Sequence, residues 1–266
     1  MDILDRIVAD KRIELKEEMA RLPLEDLRSR ALAASPSSRS MRKALVSGSG
    51  IIAEFKRKSP SRGWIHQDIS PKDVVPSYAS GGASALSILT DAKYFGGKLE
   101  YVSEARKLVS IPILRKEFIV SEYQLLQARL AGADAVLLIA ACLSLQEFRT
   151  LLGQAHSLGL EVLLEVHSED ELGYVSGDVD MVGVNNRNLG TFVTDVANSF
   201  QLAPKLRSLF PPESAFPVLV SESGISSPET VLRLRQEGFH GFLMGEAFMK
   251  EPDPGAALSA FVKAIA

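Results

Sequence analysis

The chain has 266 residues, of which 46% are hydrophobic and 24% charged, as in an ordinary folded globular protein. A net charge of −3 and a pI of about 5.9 argue against a protein that attracts nucleic acid by overall positive charge. Cys142 is the only cysteine, so the chain forms no internal disulfide. The longest apolar run, 135–143, is far shorter than the roughly 20 residues of a membrane span. We expect a soluble cytoplasmic protein.

Residues 1–50 are predicted to be helical, because Ile3, Leu4, Ile7 and Val8 form an apolar stripe at helical spacing. From residue 51, short apolar runs alternate with helical patterns. Strands are predicted at 51–56, 84–89, 111–116, 134–140, 161–166, 180–185, 216–222 and 240–245. Helices are predicted at 71–80, 98–109, 121–132, 144–158, 168–176, 195–208, 226–238 and 254–265.

Eight successive β/α units predict an α/β fold, a (β/α)8 TIM barrel. Most of the strands are continuously apolar, which is typical of parallel strands covered on both faces. We assign 51–266 to the barrel and 1–50 to a helical extension packed on it. An open doubly wound sheet is the alternative, but the first turn, KRKSPSRG, lacks the glycine-rich fingerprint that often follows the first strand of such a sheet.

Ionisable and polar residues gather at the carboxyl ends of the predicted strands, where barrel active sites lie. These residues are Glu54, Lys56, Arg115, Lys116, Glu117, Glu165, Asn185, Asn186, Arg187, Asn188, Glu222 and Ser223. A charge that follows a strand is usually a solvated loop residue, and Arg57 and Lys58 fit that description. Glu54, Lys56 and Glu165 instead fall within strands or at their last residue. Their convergence predicts a functional pocket.

Two glycine-containing turns follow the last two predicted strands, in SESGISSPETV and GFLMGEAFM. Gly224 frees the backbone in the first turn and Gly245 in the second. Ser226 to Glu229 match a helix capping box. Loops after strands seven and eight commonly form the phosphate site of a barrel, so we expect a phosphorylated ligand here.

The four histidines, His66, His156, His167 and His240, do not pair at metal-ligand spacing. Each is interpreted as a surface or satisfied residue. We expect no metal and no cofactor. The remaining chemistry is acid–base catalysis by Lys and Glu on a phosphorylated small molecule.

The chain also resembles the indole-3-glycerol-phosphate synthase family of tryptophan biosynthesis. The matching motifs, in order, are IIAEFKRKSPSRG, SILTD with YFGG, PILRKEFIVSEYQ, GADAVLLIAA, LLEVHSEDEL, VGVNNRNL, VSESGI and GFLMGEAFM. The opening, ILDRIVADKRIEL, resembles the N-terminal extension of that family. A generic phosphate-binding barrel would share only the last two motifs.

The resemblance implies a lyase that converts 1-(2-carboxyphenylamino)-1-deoxyribulose 5-phosphate to indole-3-glycerol phosphate with loss of CO2 and water. Catalytic residues would be Lys116, Glu165, Lys56, Glu54, Asn185 and Glu222. Lys116 would be the general acid at the ketone oxygen, and Glu165 with Lys56 would serve the later proton transfers and dehydration. A lowered pKa of Lys116 would suit this role, and a neighbouring Lys56 would lower it while Glu54 would oppose that effect.

For binding, the resemblance implies two groups of residues. Ser223, Gly224, Gly245 and Glu246 would bind the phosphate, largely through backbone N–H groups. Ser59, Phe118, Leu137, Arg187 and Leu189 would hold the anthranilate ring and close the pocket. Some family members carry Ser where this chain has Glu246, and a carboxylate there would repel phosphate. A loop over 57–63 is predicted to close over the substrate.

The chain is expected to be a monofunctional monomer that needs no nucleic acid or membrane and could partner other enzymes of the tryptophan pathway. Three rival functions stay open at this point. One is a Schiff-base aldolase with Lys116 as nucleophile. Another is the sister barrel phosphoribosylanthranilate isomerase, which usually uses Cys and Asp where this chain has Glu54, Lys56 and Glu165. The third is an anion-binding module based on the KRK run.

Overall fold

Eight parallel strands form a closed barrel, in which each strand pairs with the next along the chain and the last pairs with the first. The computed structural model describes residues 3–35, 39–60, 62–188, 193–211 and 216–266. The barrel strands are β1 (Ile51–Phe55), β4 (Ala85–Leu89), β5 (Ile113–Lys116), β6 (Ala135–Ile139), β7 (Glu161–Val166), β8 (Met181–Asn185), β9 (Val218–Glu222) and β10 (Phe239–Met244). The predicted (β/α)8 barrel is confirmed, and closure of the sheet excludes the open alternative.

Helices surround the barrel and precede it. They are α1 (Ile3–Arg21), α2 (Leu24–Ala33), α3 (Met41–Ser47), α4 (Pro71–Ser80), α5 (Ala92–Phe95), α6 (Glu100–Leu108), α7 (Glu122–Ala131), α8 (Leu145–Ser157), α9 (Ala197–Ser208), α10 (Pro228–Gln236), α11 (Glu246–Met249) and α12 (Pro254–Ala264). Two 3-10 helices lie at Ala140–Cys142 and Glu169–Tyr174.

Two local predictions from the sequence differ from the structure, and one hairpin was not predicted. The helix predicted over 168–176 is only the 3-10 helix Glu169–Tyr174, in which Gly173 is a poor former of a regular α-helix. Helix α10 is capped by Ser227, whose hydroxyl accepts from the Thr230 backbone, one residue later than the capping box we predicted. A short antiparallel hairpin, β2 (Lys58–Ser59) with β3 (Gly63–Trp64), follows β1.

The alternation of side chains along each strand divides the apolar residues into two layers. In β1, Ile51, Ala53 and Phe55 face the helices, whereas Ile52 faces the barrel interior. The interior is filled by side chains from all eight strands or their ends, including Ala85, Leu114, Ala135, Leu163, Met181, Val220 and Leu243. The barrel is therefore a packed core and offers space only at its ends.

Helix α3 closes the end of the barrel at which the strands begin. Met41 and Leu45 are buried against the interior layer and add the bottom of that layer. Ser40, the residue before the helix, donates from its hydroxyl to Glu161 at the start of β7, at 2.5 Å. Helix α3 thus fixes this part of the extension to the strand starts.

Helices α1 and α2 pack on the side and on the opposite end. Arg28 of α2 forms two hydrogen bonds to the Glu122 carboxylate of α7, at 3.1 and 2.8 Å. In α1, Leu4 and Ile7 are buried, and both contribute to a cavity at the carboxyl ends of the strands. Among the described helices, none combines the length and the apolar character that crossing a membrane requires.

A buried ion pair at the strand starts is expected to stabilise the fold without affecting catalysis. The Asp134 carboxylate accepts from the Ile113 backbone N–H at 2.7 Å and from Arg106 at 2.8 Å. Replacing Asp134 by Ala leaves a buried N–H and a guanidinium uncompensated, so we expect a loss of about 3 kcal/mol in the free energy of unfolding. Urea unfolding measures this loss, with the exposed Asp178→Ala as the control. Equal stability of the two variants would contradict the assignment.

Candidate active site

The inward-facing positions change from apolar to ionisable at the carboxyl ends of the strands. In β1, Ile52 faces inward and Glu54 lies two residues further along, so both side chains share one face. In the same way, the inward-facing residue changes from Leu114 to Lys116 in β5 and from Leu163 to Glu165 in β7. The inward polar residues at this level are Glu54, Ser87, Lys116, Glu165, Asn185 and Glu222. Alternation along parallel strands therefore explains why side chains far apart in sequence meet here.

Lys116 lies at the centre of this group. Its Nζ atom is 2.6 Å from Glu222 Oε2, 3.8 Å from Glu165 Oε2 and 3.9 Å from Glu54 Oε2. These carboxylates come from three different strands and are all buried. Burial by itself lowers the pKa of Lys116, but the three carboxylates outweigh burial and raise the pKa above its ordinary value. The lysine is therefore charged over the working pH range.

This direction is the opposite of the lowered pKa that the sequence suggested as suitable for an acid. The reason lies in the position of the second lysine. Lys56 Nζ lies 2.9 Å from Glu54 Oε1, so its charge is compensated by that carboxylate. Burial raises the pKa of Glu54, but Lys56 and Lys116 outweigh burial and hold the pKa of this carboxyl group below its usual value.

Glu222 is the most deeply enclosed carboxyl group of the site, with no exposed surface. Its Oε1 atom has no hydrogen-bond partner among the described residues. Burial, together with the charges of Glu165 and Glu54, raises the pKa of Glu222 to about 7, although Lys116 acts in the other direction. A side chain at position 183 would overlap this carboxylate, and Gly183 leaves the required space.

Glu165 has partners on two further residues. Asn185 donates from Nδ2 to Glu165 Oε1 at 3.1 Å, and His167 Nε2 lies 3.2 Å from the same oxygen. Burial raises the pKa of Glu165, but the contacts with His167 and Lys116 outweigh burial and lower the pKa to about 2. Glu165 is therefore a carboxylate, whereas Glu222 titrates near neutrality.

His167 lies beside the site, which the sequence did not predict, although its two carboxylate neighbours fit our interpretation of each histidine as a surface or satisfied residue. Its ring lies between Glu165 and Glu171, whose Oε2 is 3.4 Å from Nδ1. Burial lowers the pKa of His167, but the two carboxylates outweigh burial and raise it to about 10. The available signal was its position two residues after Glu165, which places both side chains on one face of the chain.

A cavity of about 570 Å3 opens above these charges. Lys116, Glu165, Glu54, Lys56 and Asn185 line its floor. Its apolar wall comes from Ile3, Leu4, Ile7, Leu89, Phe95, Phe118, Leu137 and Ile139. The predicted ring contacts Phe118 and Leu137 are thus brought together. The contributions of α1 and of Phe95 were not predicted.

Backbone groups and arginines border the other side of the cavity. Ser223 and Gly224 both have positive φ, 68° and 77°, so the chain turns sharply directly after β9. Asn186 Nδ2 donates to the Ser223 carbonyl oxygen at 3.0 Å and holds this turn. Gly245 precedes α11, and a side chain there would meet the Glu54 carboxylate.

The Glu246 carboxylate, which we expected to repel a phosphate, is paired with arginines. Arg62 lies 2.8 Å from Glu246 Oε1, and Arg187 lies 3.9 Å from Oε2. Both arginines line the same cavity. The combined charge at this border is positive, because two guanidinium groups face one carboxylate.

The other predicted residues lie elsewhere. Ser59 is buried in the hairpin after β1, and the next residue, Pro60, lines the cavity in its place. Leu189 lies outside the described residues. Lys58 points away and donates to the Lys93 carbonyl oxygen at 3.0 Å. Within the described ranges, the structure shows no group of three or more His, Cys, Asp or Glu side chains that could hold a metal ion.

Comparison with known proteins gives one consistent result. The sequence profile of the family named "Indole-3-glycerol phosphate synthase" matches residues 4–261. A protein of this name from Bacteroides thetaiotaomicron is 58% identical over 265 residues, which cover 99% of each chain. A second from an Azoarcus species is 44% identical over 97% of this chain and 98% of the relative, and a third from a Polaromonas species is 43% identical over 97% of both. The chain therefore belongs to the indole-3-glycerol phosphate synthase family.

Proposed function

We propose that the side chains around Lys116 carry out the indole-3-glycerol phosphate synthase reaction of this enzyme by acid–base catalysis. The enzyme acts on a phosphorylated small molecule, 1-(2-carboxyphenylamino)-1-deoxyribulose 5-phosphate. The observation that carries the proposal is one ammonium group, on the floor of the barrel cavity, that lies within 4 Å of three buried carboxylates, two of which, Glu54 and Glu165, also line the cavity. A buried cluster of this kind supplies a fixed proton donor next to fixed negative charges.

The two sides of the cavity orient the substrate. The apolar wall with Phe118 and Leu137 takes the anthranilate ring. The border with Ser223, Gly224, Gly245 and the Glu246 backbone takes the phosphate, since backbone N–H groups and nearby arginines favour an anion. The reacting ketone then lies between them, over Lys116. Lys56 stands at the edge of the floor, within reach of the substrate carboxylate.

Ring closure is the first chemical step. The ring carbon that carries the carboxylate attacks the ketone carbon, a C–C bond forms, and the C=O electron pair moves to oxygen. Lys116 donates its proton to that oxygen, which becomes a hydroxyl group. The three carboxylates keep Lys116 protonated until the substrate oxygen develops negative charge. The anilino nitrogen is then part of a cationic iminium system.

Loss of CO2 follows without any cofactor. The bond between ring carbon and carboxylate breaks, and its electron pair restores the aromatic ring and neutralises the iminium. Because the iminium of the intermediate is the electron sink, the protein needs only to hold the carboxylate in place. Lys56 lies 2.9 Å from Glu54, which already compensates part of its charge. Lys56 therefore holds the substrate carboxylate loosely enough for CO2 to leave.

Dehydration completes the reaction. A base removes the C–H proton next to the hydroxyl-bearing carbon, an acid protonates the hydroxyl group, and water leaves as the indole double bond forms. Glu165 is the base, since its lowered pKa keeps it ionised. Lys56 supplies the proton. His167 and Asn185 hold Glu165 in place, and Glu222 holds Lys116.

The charge state of Lys116 argues against the aldolase alternative. A Schiff-base lysine must be neutral to attack a carbonyl carbon, and such lysines have lowered pKa values. Here the surrounding carboxylates raise the pKa of Lys116.

We further propose that the protein is a monomer, because one chain supplies both the charged floor and the apolar wall of the cavity. We also propose that it is cytoplasmic and that residues 1–50 form an extension packed on the barrel.

The first experiment is a fluorescence assay of indole-3-glycerol phosphate formation with wild type and Lys116→Ala. We expect kcat to fall by roughly a thousandfold, because the general acid is lost. The exposed Lys263→Ala serves as the control and should match wild type. Full activity of Lys116→Ala would remove Lys116 as the acid, and an inactive wild type would contradict the reaction itself.

Lys56 and Lys58, which both follow β1, are expected to differ in their effect on kcat. Lys56→Ala should lower kcat at least about 100-fold, because Lys56 lines the floor and takes part in proton transfer. Lys58→Ala should stay within about threefold, because the Lys58 ammonium group lies against the Lys93 carbonyl oxygen and the Trp64 ring and does not line the cavity among the described residues. Steady-state kinetics of both variants decide the point. Similar small effects at both positions would exclude Lys56 from the chemistry.

Glu222 should impose a pH dependence on catalysis near pH 7. Below its raised pKa of about 7 the group is neutral, and Glu222→Gln, also neutral, should behave like wild type. Above that pKa the wild type gains a negative charge beside Lys116, which strengthens its hold on the proton. The ratio of wild-type to variant kcat/KM should therefore be constant below pH 7 and change above it. A ratio that is constant from pH 5.5 to 8.5 would show that Glu222 does not titrate in this range.

A further inference from the structure

Helix α1 carries a buried lysine that the mechanism does not use. Lys11 is only 3% exposed and lies on the buried face of α1, in line with Leu4, Ile7 and Leu15. Lysine is almost never fully buried unless it is paired. Its burial therefore requires compensating negative charges nearby.

Three carboxylates surround the Lys11 ammonium. Its Nζ atom lies 2.7 Å from Glu14, 3.1 Å from Asp91 and 3.4 Å from Glu117. Glu14 belongs to the same helix, but Asp91 follows β4 and Glu117 follows β5. Burial lowers the pKa of Lys11, and the three carboxylates outweigh burial and raise it. Lys11 is thus a permanent positive charge that joins α1 to two loops at the mouth of the barrel.

Glu117 links Lys11 to the segment that follows Lys116. Its Oε1 atom accepts from the Phe118 backbone N–H at 2.9 Å, and its Oε2 atom accepts from the Thr90 hydroxyl at 2.7 Å. Arg115, the other charged group at this carboxylate, lies 3.7 Å from Oε2. Lys11 and Arg115 therefore fix the carboxylate that sets the direction of the chain at Phe118.

Asp91 links Lys11 to the loop after β4, which carries the short helix α5. It caps the short helix α5 by accepting from the Tyr94 N–H at 2.7 Å. The next residue, Phe95, lines the cavity, and its ring centroid is 5.9 Å from that of Phe118. Asp10, the residue before Lys11, adds a parallel contact, since it pairs with Lys93 of α5 at 2.6 Å.

We propose that Lys11 is a positioning residue for the aromatic ring of the substrate, because it joins the three elements that carry Ile7, Phe95 and Phe118. Lys11 itself does not line the cavity. The inference rests on the proposed placement of the anthranilate ring against this wall. It assigns to α1 a role in substrate affinity that depends on one buried charge.

Simple anchoring of α1 does not require this lysine. The helix already buries Leu4, Ile7 and Leu15. A buried ion pair adds little stability over an apolar pair of the same shape, although removal of one partner alone is costly. What the charge adds is geometry, since an ammonium among three carboxylates fixes their mutual positions more narrowly than apolar contacts do.

The test compares Lys11→Met with Lys16→Met, an exposed position on the same helix. Methionine keeps the length of the side chain and removes its charge. We expect Lys11→Met to raise KM for the substrate about tenfold or more while kcat stays within about threefold, because binding of the ring is impaired and the charged floor is not. Lys16→Met should change neither constant. A folded Lys11→Met enzyme with an unchanged KM would overturn the proposal.

A second readout separates positioning from general loosening. Inorganic phosphate, used as a competitive inhibitor, probes only the other side of the cavity, so its inhibition constant should be the same in wild type and Lys11→Met. A parallel rise in this constant and in KM would overturn the proposal. Asp91→Asn keeps the helix cap and removes the charge, and it should reproduce the KM effect if Lys11→Met fails to fold. The Lys116→Ala assay tests the proposed mechanism separately. If Lys116→Ala loses activity while Lys11→Met keeps the wild-type KM, the mechanism stands and only the role of Lys11 is contradicted.

Discussion

The arrangement of the site depends on compensation of one buried positive charge. A lysine ammonium at the carboxyl end of β5 is stable in a water-poor position only because carboxylates from β1, β7 and β9 surround it. Each of those carboxylates in turn needs the lysine or a second partner, as Glu54 needs Lys56 and Glu165 needs His167. The charges therefore stabilise one another, and the closed barrel supplies the fixed spacing that makes this possible.

The same dependence explains why neighbouring carboxylates behave differently. Glu165 has a cation or an amide at each oxygen, and its pKa falls to about 2. Glu222 faces the same lysine but has one oxygen without a partner among the described residues, and its pKa rises to about 7. Gly183 and Gly245 contribute by leaving room for Glu222 and Glu54, so two positions without side chains are part of the charged floor. Environment separates the two carboxyl groups into one permanent anion and one group that titrates near neutrality.

Much of this could be predicted from the sequence, because strand alternation and barrel topology follow from apolar patterning. Glu54, Lys116 and Glu165 could be placed at one mouth from their positions at strand ends alone. The pKa direction of Lys116 could not, since it depends on counting carboxylates within 4 Å in three dimensions. The role of His167 and the contact of α1 with the cavity also escaped prediction, because local patterns carry no information on long-range packing. At the strand starts, Asp134 looked unremarkable in sequence, yet it is part of a buried ion pair with Arg106.

That ion pair lies at the opposite end of the strands from the charged group around Lys116. With about 3.3 Å of rise per residue, the three residue steps of β5 from Ile113 to Lys116 separate the two clusters by roughly 10 Å. Mutational effects at such a separation usually add, so stability and turnover can change independently during evolution. A lineage that moves to a hotter or colder habitat can adjust the strand-start end of the barrel while the chemistry at the other end is left unaltered.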